Sequence, residues 1–177
     1  SIQLPQVTKE GYDFEGWYTQ QQGGSRIYDG YVPQSDTTIY ARWSAQSYLI
    51  TFDPNGGSVG TTAKVVTYGE PYGELPTPTR EGYTFDGWYD ENNNKIQSTD
   101  IVNITENKTY KAGWLGTEYT VTFDYGDGTT TNKEVRNEGL YGELPSASKE
   151  GHTFLGWYDE NGNKIESTTR VELTEDQ

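Results

Sequence analysis

The chain repeats itself. Glu10-Gly11-Tyr12-Asp13-Phe14-Glu15-Gly16-Trp17-Tyr18 returns at 81–89 and again at 150–158, with offsets of 71 and 69 residues. Leu4-Pro5, Leu75-Pro76 and Leu144-Pro145 keep those offsets, and Trp43 and Trp114 stand 71 apart. Between 81–99 and 150–168 only four of 19 positions differ: Tyr83/His152, Asp86/Leu155, Asn93/Gly162 and Gln97/Glu166. A repeat of this fidelity rules out one 177-residue domain with a single core. Each copy must fold around its own, and a unit of roughly 70 residues buries only about 60% of its unfolded surface.

The offsets predict three modules: a partial repeat at 1–46, a complete one at 47–117, and one at 118–177 that lacks its last strand. The first copy lacks everything before the equivalent of Tyr72. The third lacks the equivalents of 109–114. With Ser1 at the start and no Met anywhere, the expectation is a piece of a longer array. Residues 44–47 and 115–118 join the copies, and four residues span at most about 14 Å. Neighbouring copies are therefore expected to touch, giving a semi-rigid, elongated array.

Strand signals dominate each copy. Tyr119, Val121 and Phe123 alternate with Thr120 and Thr122, as a half-buried strand requires. Asn55-Gly56 and Asp127-Gly128 supply the positive φ of tight turns. Second strands are predicted near 63–68 and 131–136. Pro76 and Pro78 exclude a helix interior at 74–79. Residues 90–96 and 159–165 read as hairpin turns. Ile39, Ala41 and Trp43, and 71 residues later Tyr110, Ala112 and Trp114, share one face of a closing strand. No stretch of 11 residues has a clear helical period, and the best helix candidate is 100–106. The fold class is thus mainly β. The expected core is Ile50, Phe52, Val66, Leu75, Phe85, Trp88, Ile96 and Trp114 with their equivalents.

Composition narrows the function. Apolar residues are 31% but aromatics 14%, with 15 Tyr and 5 Trp, and large rings let a small unit bury enough area. The same aromatic content argues against disorder. The net charge is −14, which repels phosphate and so excludes nucleic acid as a partner. It runs from −2 over 1–46, through −4 over 47–117, to −8 over 118–177. No apolar run reaches the roughly 20 residues of a membrane helix, so no membrane insertion is expected within this chain. Without Cys there is no disulfide framework, thiolate metal site or cysteine nucleophile.

Phe52-Asp53-Pro54-Asn55-Gly56-Gly57, then 75–89 from Leu75-Pro76 to Gly87-Trp88-Tyr89, then Thr109-Tyr110-Lys111-Ala112-Gly113-Trp114, closely resemble the Listeria–Bacteroides repeat, the B-repeat type of module of internalins. The resemblance covers essentially the whole chain. It implies small β-grasp-like modules in tandem, in secreted or wall-anchored bacterial surface proteins, acting as stalks, spacers or adhesion modules rather than enzymes. The third copy departs at Asp127-Gly128, His152 and Leu155.

The structural signature comprises Gly11, Gly16, Trp17, Trp43, Gly82, Gly87, Trp88, Trp114, Gly151, Gly156 and Trp157. The Gly-Trp-Tyr triplets have two readings, sugar stacking or core packing. Core packing is favoured because the triplet recurs unchanged while its neighbours vary. Asp159-Glu160-Asn161-Gly162-Asn163 mimics the start of a calcium loop. It then carries Lys164 and Arg170 where such a loop needs Gly and Glu, so a hairpin turn is preferred. His152 is the single His, and Tyr12 and Tyr83 replace it in the other copies, which argues against a base or ligand. Asn103-Ile104-Thr105 and Asn107-Lys108-Thr109 match a glycosylation sequon, read as incidental. No catalytic residue, cofactor or metal site is expected.

The leading functional expectation is a non-enzymatic structural and adhesive repeat region of a bacterial protein, acting as a semi-rigid stalk or spacer, extracellular and secreted or attached to the cell wall or cell surface. The alternatives are binding of glycans or a host surface protein through Tyr28, Tyr31 and Tyr125, and a filament in which unpaired strands of one chain pair with other copies of itself.

Overall fold

The computed structural model describes all 177 residues. Twelve strands follow in order: β1 Tyr12–Tyr18, β2 Arg26–Ile27, β3 Tyr40–Ala45, β4 Ser47–Asp53, β5 Ala63–Thr67, β6 Tyr83–Tyr89, β7 Lys95–Ile96, β8 Lys108–Gly116, β9 Glu118–Asp124, β10 Thr130–Arg136, β11 Trp157–Tyr158 and β12 Lys164–Ile165. There is no helix, and the protein is mainly β. One sheet has the order β2-β1-β3 and another β5-β4-β8-β6-β7; β9 pairs with β10, and β11 with β12.

The chain divides into two compact units. The first comprises Ser1–Asp53, Gly60–Pro76 and Trp88–Lys111; the second comprises Pro54–Val59, Thr77–Gly87 and Ala112–Gln177.

In the first unit β4 alternates as its sequence predicts. Ile50 and Phe52 are buried, while Leu49 and Thr51 are exposed. It pairs antiparallel with β5, Leu49 opposite Val65, and parallel with β8, Phe52 opposite Tyr110. The buried core is Ile50, Phe52, Val66, Tyr72, Trp88, Val102 and Tyr110. Phe52 and Trp88 meet with ring centroids 4.8 Å apart. Four expected core residues, Ile50, Phe52, Val66 and Trp88, are buried; Leu75 and Ile96 are only half-buried.

The predicted helix at 100–106 does not form. Its backbone is committed elsewhere: Gly69 N donates to Val102 O, Val102 N to Glu70 O, and Tyr72 N to Asp100 O, all at 2.8–2.9 Å. This extended pairing drives Val102 into the core at 0% exposure. A helix would have broken all three bonds to satisfy the same groups locally.

In the second unit β9 and β10 form a hairpin, with Val121, Phe123 and Val135 buried beside Tyr141 and Val171. Val171 repeats Val102 at an offset of 69. A separate cluster closes around Trp114. Its ring meets Phe85 at 5.8 Å, and its Nε1 donates to Pro54 O at 3.0 Å. Phe85 and Trp114 are themselves half-buried.

The segments joining the copies are shorter than the four residues expected. One residue, Gln46, separates β3 from β4, and one, Thr117, separates β8 from β9.

Candidate functional site

The Gly-Trp-Tyr triplet sits on a β-bulge. In β1 the register with β3 slips between Phe14, opposite Trp43, and Gly16, opposite Arg42. Gly16 adopts φ +133, and Gly87 and Gly156 repeat it at +143 and +135. Side chains rarely tolerate that backbone, so glycine is required there. The extra residue changes the parity of the strand. Strict alternation would put Phe14 and Trp17 on opposite faces. The bulge instead brings them into edge contact at 5.7 Å, and Phe154 meets Trp157 likewise at 5.4 Å.

Each triplet Trp is then pinned to the Leu-Pro segment twelve residues earlier. Nε1 donates to Pro5 O from Trp17 at 3.1 Å, to Pro76 O from Trp88 at 2.8 Å, and to Pro145 O from Trp157 at 2.9 Å. A ring fixed at its polar tip and packed on its faces has little left to offer a sugar. Trp88 is 1% exposed, and Trp17 and Trp157 are half-buried. Trp43 packs on Phe14 at 5.2 Å. Gly11, Gly82 and Gly151 all adopt φ between +73 and +79 and turn the chain into the bulged segment.

Of the three tyrosines expected to offer a ligand surface, Tyr28 and Tyr31 lie in the first unit and Tyr125 in the second. Tyr28 is 66% exposed, with the Arg26 guanidinium 5.2 Å from its ring centroid. Tyr31 is half-buried, and its N–H donates to Tyr28 O at 3.2 Å. Tyr125 lies in the second unit, half-buried edge-on to Trp157 at 5.2 Å, with its hydroxyl 3.2 Å from Thr131 Oγ1. A groove of about 150 Å³ runs beside Tyr28, with Phe14, Trp17, Arg26 and Asp29 in its wall. A second, of about 310 Å³, is lined by Tyr125, Lys149, His152, Phe154 and Trp157.

The titratable groups serve turns. Asp90 Oδ1 accepts N–H bonds from Asn92 at 2.9 Å and Asn94 at 2.8 Å, and Oδ2 accepts from the Asn94 side chain at 3.3 Å. Asp159 repeats all three with Asn161 and Asn163. The backbone bond from Asn94 holds the Asp90 carboxyl below its ordinary value; desolvation opposes it, and the bond from Asn92 adds to the lowering; Asn163 lowers Asp159 in the same way. These turns are the segments whose sequence mimics a calcium loop, and the Asp side chain spends its oxygens on its own loop. Lys108 is bonded to Glu106 at 2.8 Å and Glu91 at 2.9 Å, which raises its pKa. Burial, then the hydroxyl of Tyr72 at 2.7 Å, raises that of Tyr110. No three His, Asp or Glu side chains group so as to hold a metal ion. His152 is exposed, and its Nδ1 lies 3.0 Å from Glu150 O. Of the sequon asparagines, Asn103 and Asn107 are both exposed, and Asn107 Oδ1 accepts from Leu49 N at 2.8 Å.

The pinned Trp and the positive-φ glycine before it thus recur in all three copies, and the Asp-capped turn in the second and third, with Thr19 at that position in the first. Known proteins resemble the chain in sequence. A protein of Evansella cellulosilytica, provisionally described as a Gly-rich membrane protein, is 34% identical over 163 residues, 87% of this chain and 18% of that protein. Internalin H of Listeria monocytogenes serovar 1/2a is 44% identical over 85 residues, 47% of this chain and 15% of that protein. The chain therefore spans less than a fifth of either relative's length. No solved structure matches it. The pattern of the Listeria-Bacteroides repeat domain matches residues 1–42, 48–112 and 119–177. The chain is a tandem repeat region that belongs to the Listeria-Bacteroides repeat domain family.

Proposed function

We propose that this chain is a non-enzymatic spacer in a bacterial cell-surface or secreted protein, built from modules bounded near residues 46 and 117. The observation that carries the reading is the passage of β3 into β4 and of β8 into β9 through one residue each. So short a joint leaves little freedom between successive copies, and stiffness is what a spacer needs. The central parallel pair of β4 and β8 supports a β-grasp-like module. It joins the first and last strands of one copy, so a pull on the ends of that copy shears their ladder directly. The net charge of −14 keeps parallel copies of such a spacer apart. The names of the relatives, an internalin and a membrane protein, support a surface location. The triplet tryptophans and the turn aspartates Asp90 and Asp159 are engaged in packing, pinning and turn capping, which supports a structural role.

Single-molecule stretching tests this. A spacer of discrete modules gives separate unfolding events, one per module, each with a contour increment set by the length of that module. A smooth extension without discrete events would reject it.

The exposed ring of Tyr28, backed by Arg26, favours a second reading in which the first copy also binds glycans. A glycan array probed with the chain and with Tyr28→Ala decides it. Equal signals from both, or none above background, remove that reading.

A further inference from the structure

Gln46 and Thr117 do more than separate strands. At the first joint Gln46 N donates to Gly11 O at 2.8 Å, and Gln46 O accepts from Tyr68 N at 2.9 Å. At the second Thr117 N donates to Gly82 O at 3.1 Å, and Thr117 O accepts from Asn137 N at 2.9 Å. Gly11 and Gly82 belong to the copy that is ending, and Tyr68 and Asn137 to the copy that is beginning. Each joint residue thus has both backbone groups bonded, one to each copy. The first joint lies wholly within the first compact unit, and the second wholly within the second.

Across each joint the two copies also touch directly, at the same pair of positions but with different chemistry. At the first, the Tyr68 ring lies against Gly11 so closely that a Cβ there has no room, and Tyr12 meets Tyr68 edge-on at 5.5 Å. A Cβ on Gly69 would stand 2.9 Å from the Tyr12 hydroxyl. At the second, Asn137 occupies the position of Tyr68. Its Nδ2 donates to Gly82 O at 3.1 Å, and its Oδ1 accepts from Leu173 N at 3.0 Å. A Cβ on Gly82 would lie 2.7 Å from that Nδ2. The neighbouring side chains differ in the same sense. Gln46 is bonded to Asp13 at 2.7 Å and to the Tyr48 hydroxyl at 2.5 Å, whereas Thr117 shares a hydroxyl contact with Thr84 at 3.2 Å.

We infer that positions 68 and 137 are clasps that hold successive copies in a fixed relation, an aromatic clasp at the first joint and a hydrogen-bonded amide clasp at the second. Covalently joined domains move relative to one another by default unless the interface between them restrains them. Here the restraint is local: the backbone bonds of Gln46 and Thr117 are common to both joints, and the side chain at 68 or 137, set against a glycine that leaves it room, is where the two joints differ most. The two joints then loosen independently. Water competes for the Asn137 bonds, because a peptide carbonyl loses little by exchanging an amide partner for solvent. It does not compete in the same way for an aromatic edge contact. The array is therefore a chain of differently tuned joints rather than a uniform rod. This rests on the spacer reading for its use, but not for its test.

The absence of Cys allows site-specific spin labels at introduced cysteine pairs. Gln21 and Thr61 flank the first joint, and Thr77 and Asn161 the second; all four are exposed. In the unaltered chain each pair is expected to give one narrow distance population. Tyr68→Ala should widen the first and spare the second. Asn137→Asp keeps the acceptor for Leu173 N but loses the donor to Gly82 O, and should widen only the second. Two narrow populations that both variants leave unchanged would overturn the clasps while the spacer reading stands. Populations already broad in the unaltered chain would overturn both. Circular dichroism establishes that each variant is folded; should Tyr68→Ala not fold, the isosteric Asn137→Asp decides alone.

Discussion

The indole of Trp88 donates to the carbonyl of Pro76 at 2.8 Å, and the same bond recurs between Trp17 and Pro5 and between Trp157 and Pro145. One donor thus ties the Gly-Trp-Tyr strand of every copy to its Pro-containing segment. Trp88 combines this bond with complete burial against Phe52. Trp88→Ala is expected to cost about 3–5 kcal/mol, the usual range for removing a buried large aromatic. Trp88→Phe keeps most of the packing, loses the bond and orphans Pro76 O, for about 1–3 kcal/mol. Trp17→Ala should cost less than Trp88→Ala, because Trp17 is only half-buried. Denaturant titration of the three variants gives the order.

Much of this was legible in the sequence. The repeat predicted the copies, and alternation predicted β4, β5, β8, β9 and β10. What was hidden has identifiable causes. The bulge at Gly16 breaks period-two counting, so Phe14 and Trp17 read as opposite-facing when they touch. Val102 lies beside Ile101 and Ile104 in a stretch without clear periodicity, and its burial follows from long-range bonds to 69–72 that no local window contains. An offset of 69 pairs Val102 with Val171, and that was the available signal. For Tyr28, Tyr31 and Tyr125 as a ligand surface the sequence offers only aromatic character. That property does not distinguish Tyr28, which faces solvent, from Tyr125, which leans on Trp157.

Two glycines of one turn region should respond oppositely to the same change. A Cβ on Gly57 would lie 2.5 Å from both Thr79 O and the Trp114 ring, whereas nothing lies within 4 Å of the Cβ position on Gly60. Gly57→Ala must push backbone or indole aside, at a cost of about 1–3 kcal/mol. Gly60→Ala meets open space and reduces the freedom of the unfolded chain, so it should be neutral or stabilising by up to about 1 kcal/mol. Paired thermal melts would show a fall for the first without a fall for the second.

Asp90 and Asp159 set part of the acid response. Their folded pKa values lie below the ordinary carboxylate value because of N–H bonds from Asn94 and Asn163 first, then from Asn92 and Asn161. A group with a depressed folded pKa contributes stability that is fully present above its unfolded pKa and is lost as pH falls through the folded one. The affected window therefore lies below about pH 4, the unfolded carboxylate value. Asp90→Asn and Asp159→Asn should flatten the acid limb of stability against pH and leave its slope near neutrality unchanged. NMR titration should find these two carboxyls ionising below the ordinary aspartate value. An unchanged acid limb in both variants would dissociate the turns from acid sensitivity.

Glu138 holds the backbone that Gly69 holds one copy earlier. Its φ is +68, against +82 for Gly69. A side chain in this region costs roughly 1–2 kcal/mol, from which glycine is exempt. Glu138 recovers little of that through its carboxylate. It pairs with Arg170 at 3.2 Å, but both side chains are about half exposed, and such a pair contributes at most about 1 kcal/mol. Its backbone bonds survive any substitution, since Glu138 N donates to Val171 O at 2.8 Å just as Gly69 N donates to Val102 O. Glu138→Gly should therefore stabilise the third copy by about 0.5–1 kcal/mol once the added freedom of the unfolded chain is deducted. Glu138→Ala separates the two effects, losing the ion pair while retaining the strain, and should destabilise slightly. The reverse change, Gly69→Glu, should be the most damaging of the three. It adds the same strain and drives a Cβ to within 2.9 Å of the Tyr12 hydroxyl. Unfolding curves for the three variants would give the order Glu138→Gly, Glu138→Ala, Gly69→Glu. A destabilised Glu138→Gly would mean that the Arg170 pair outweighs the backbone.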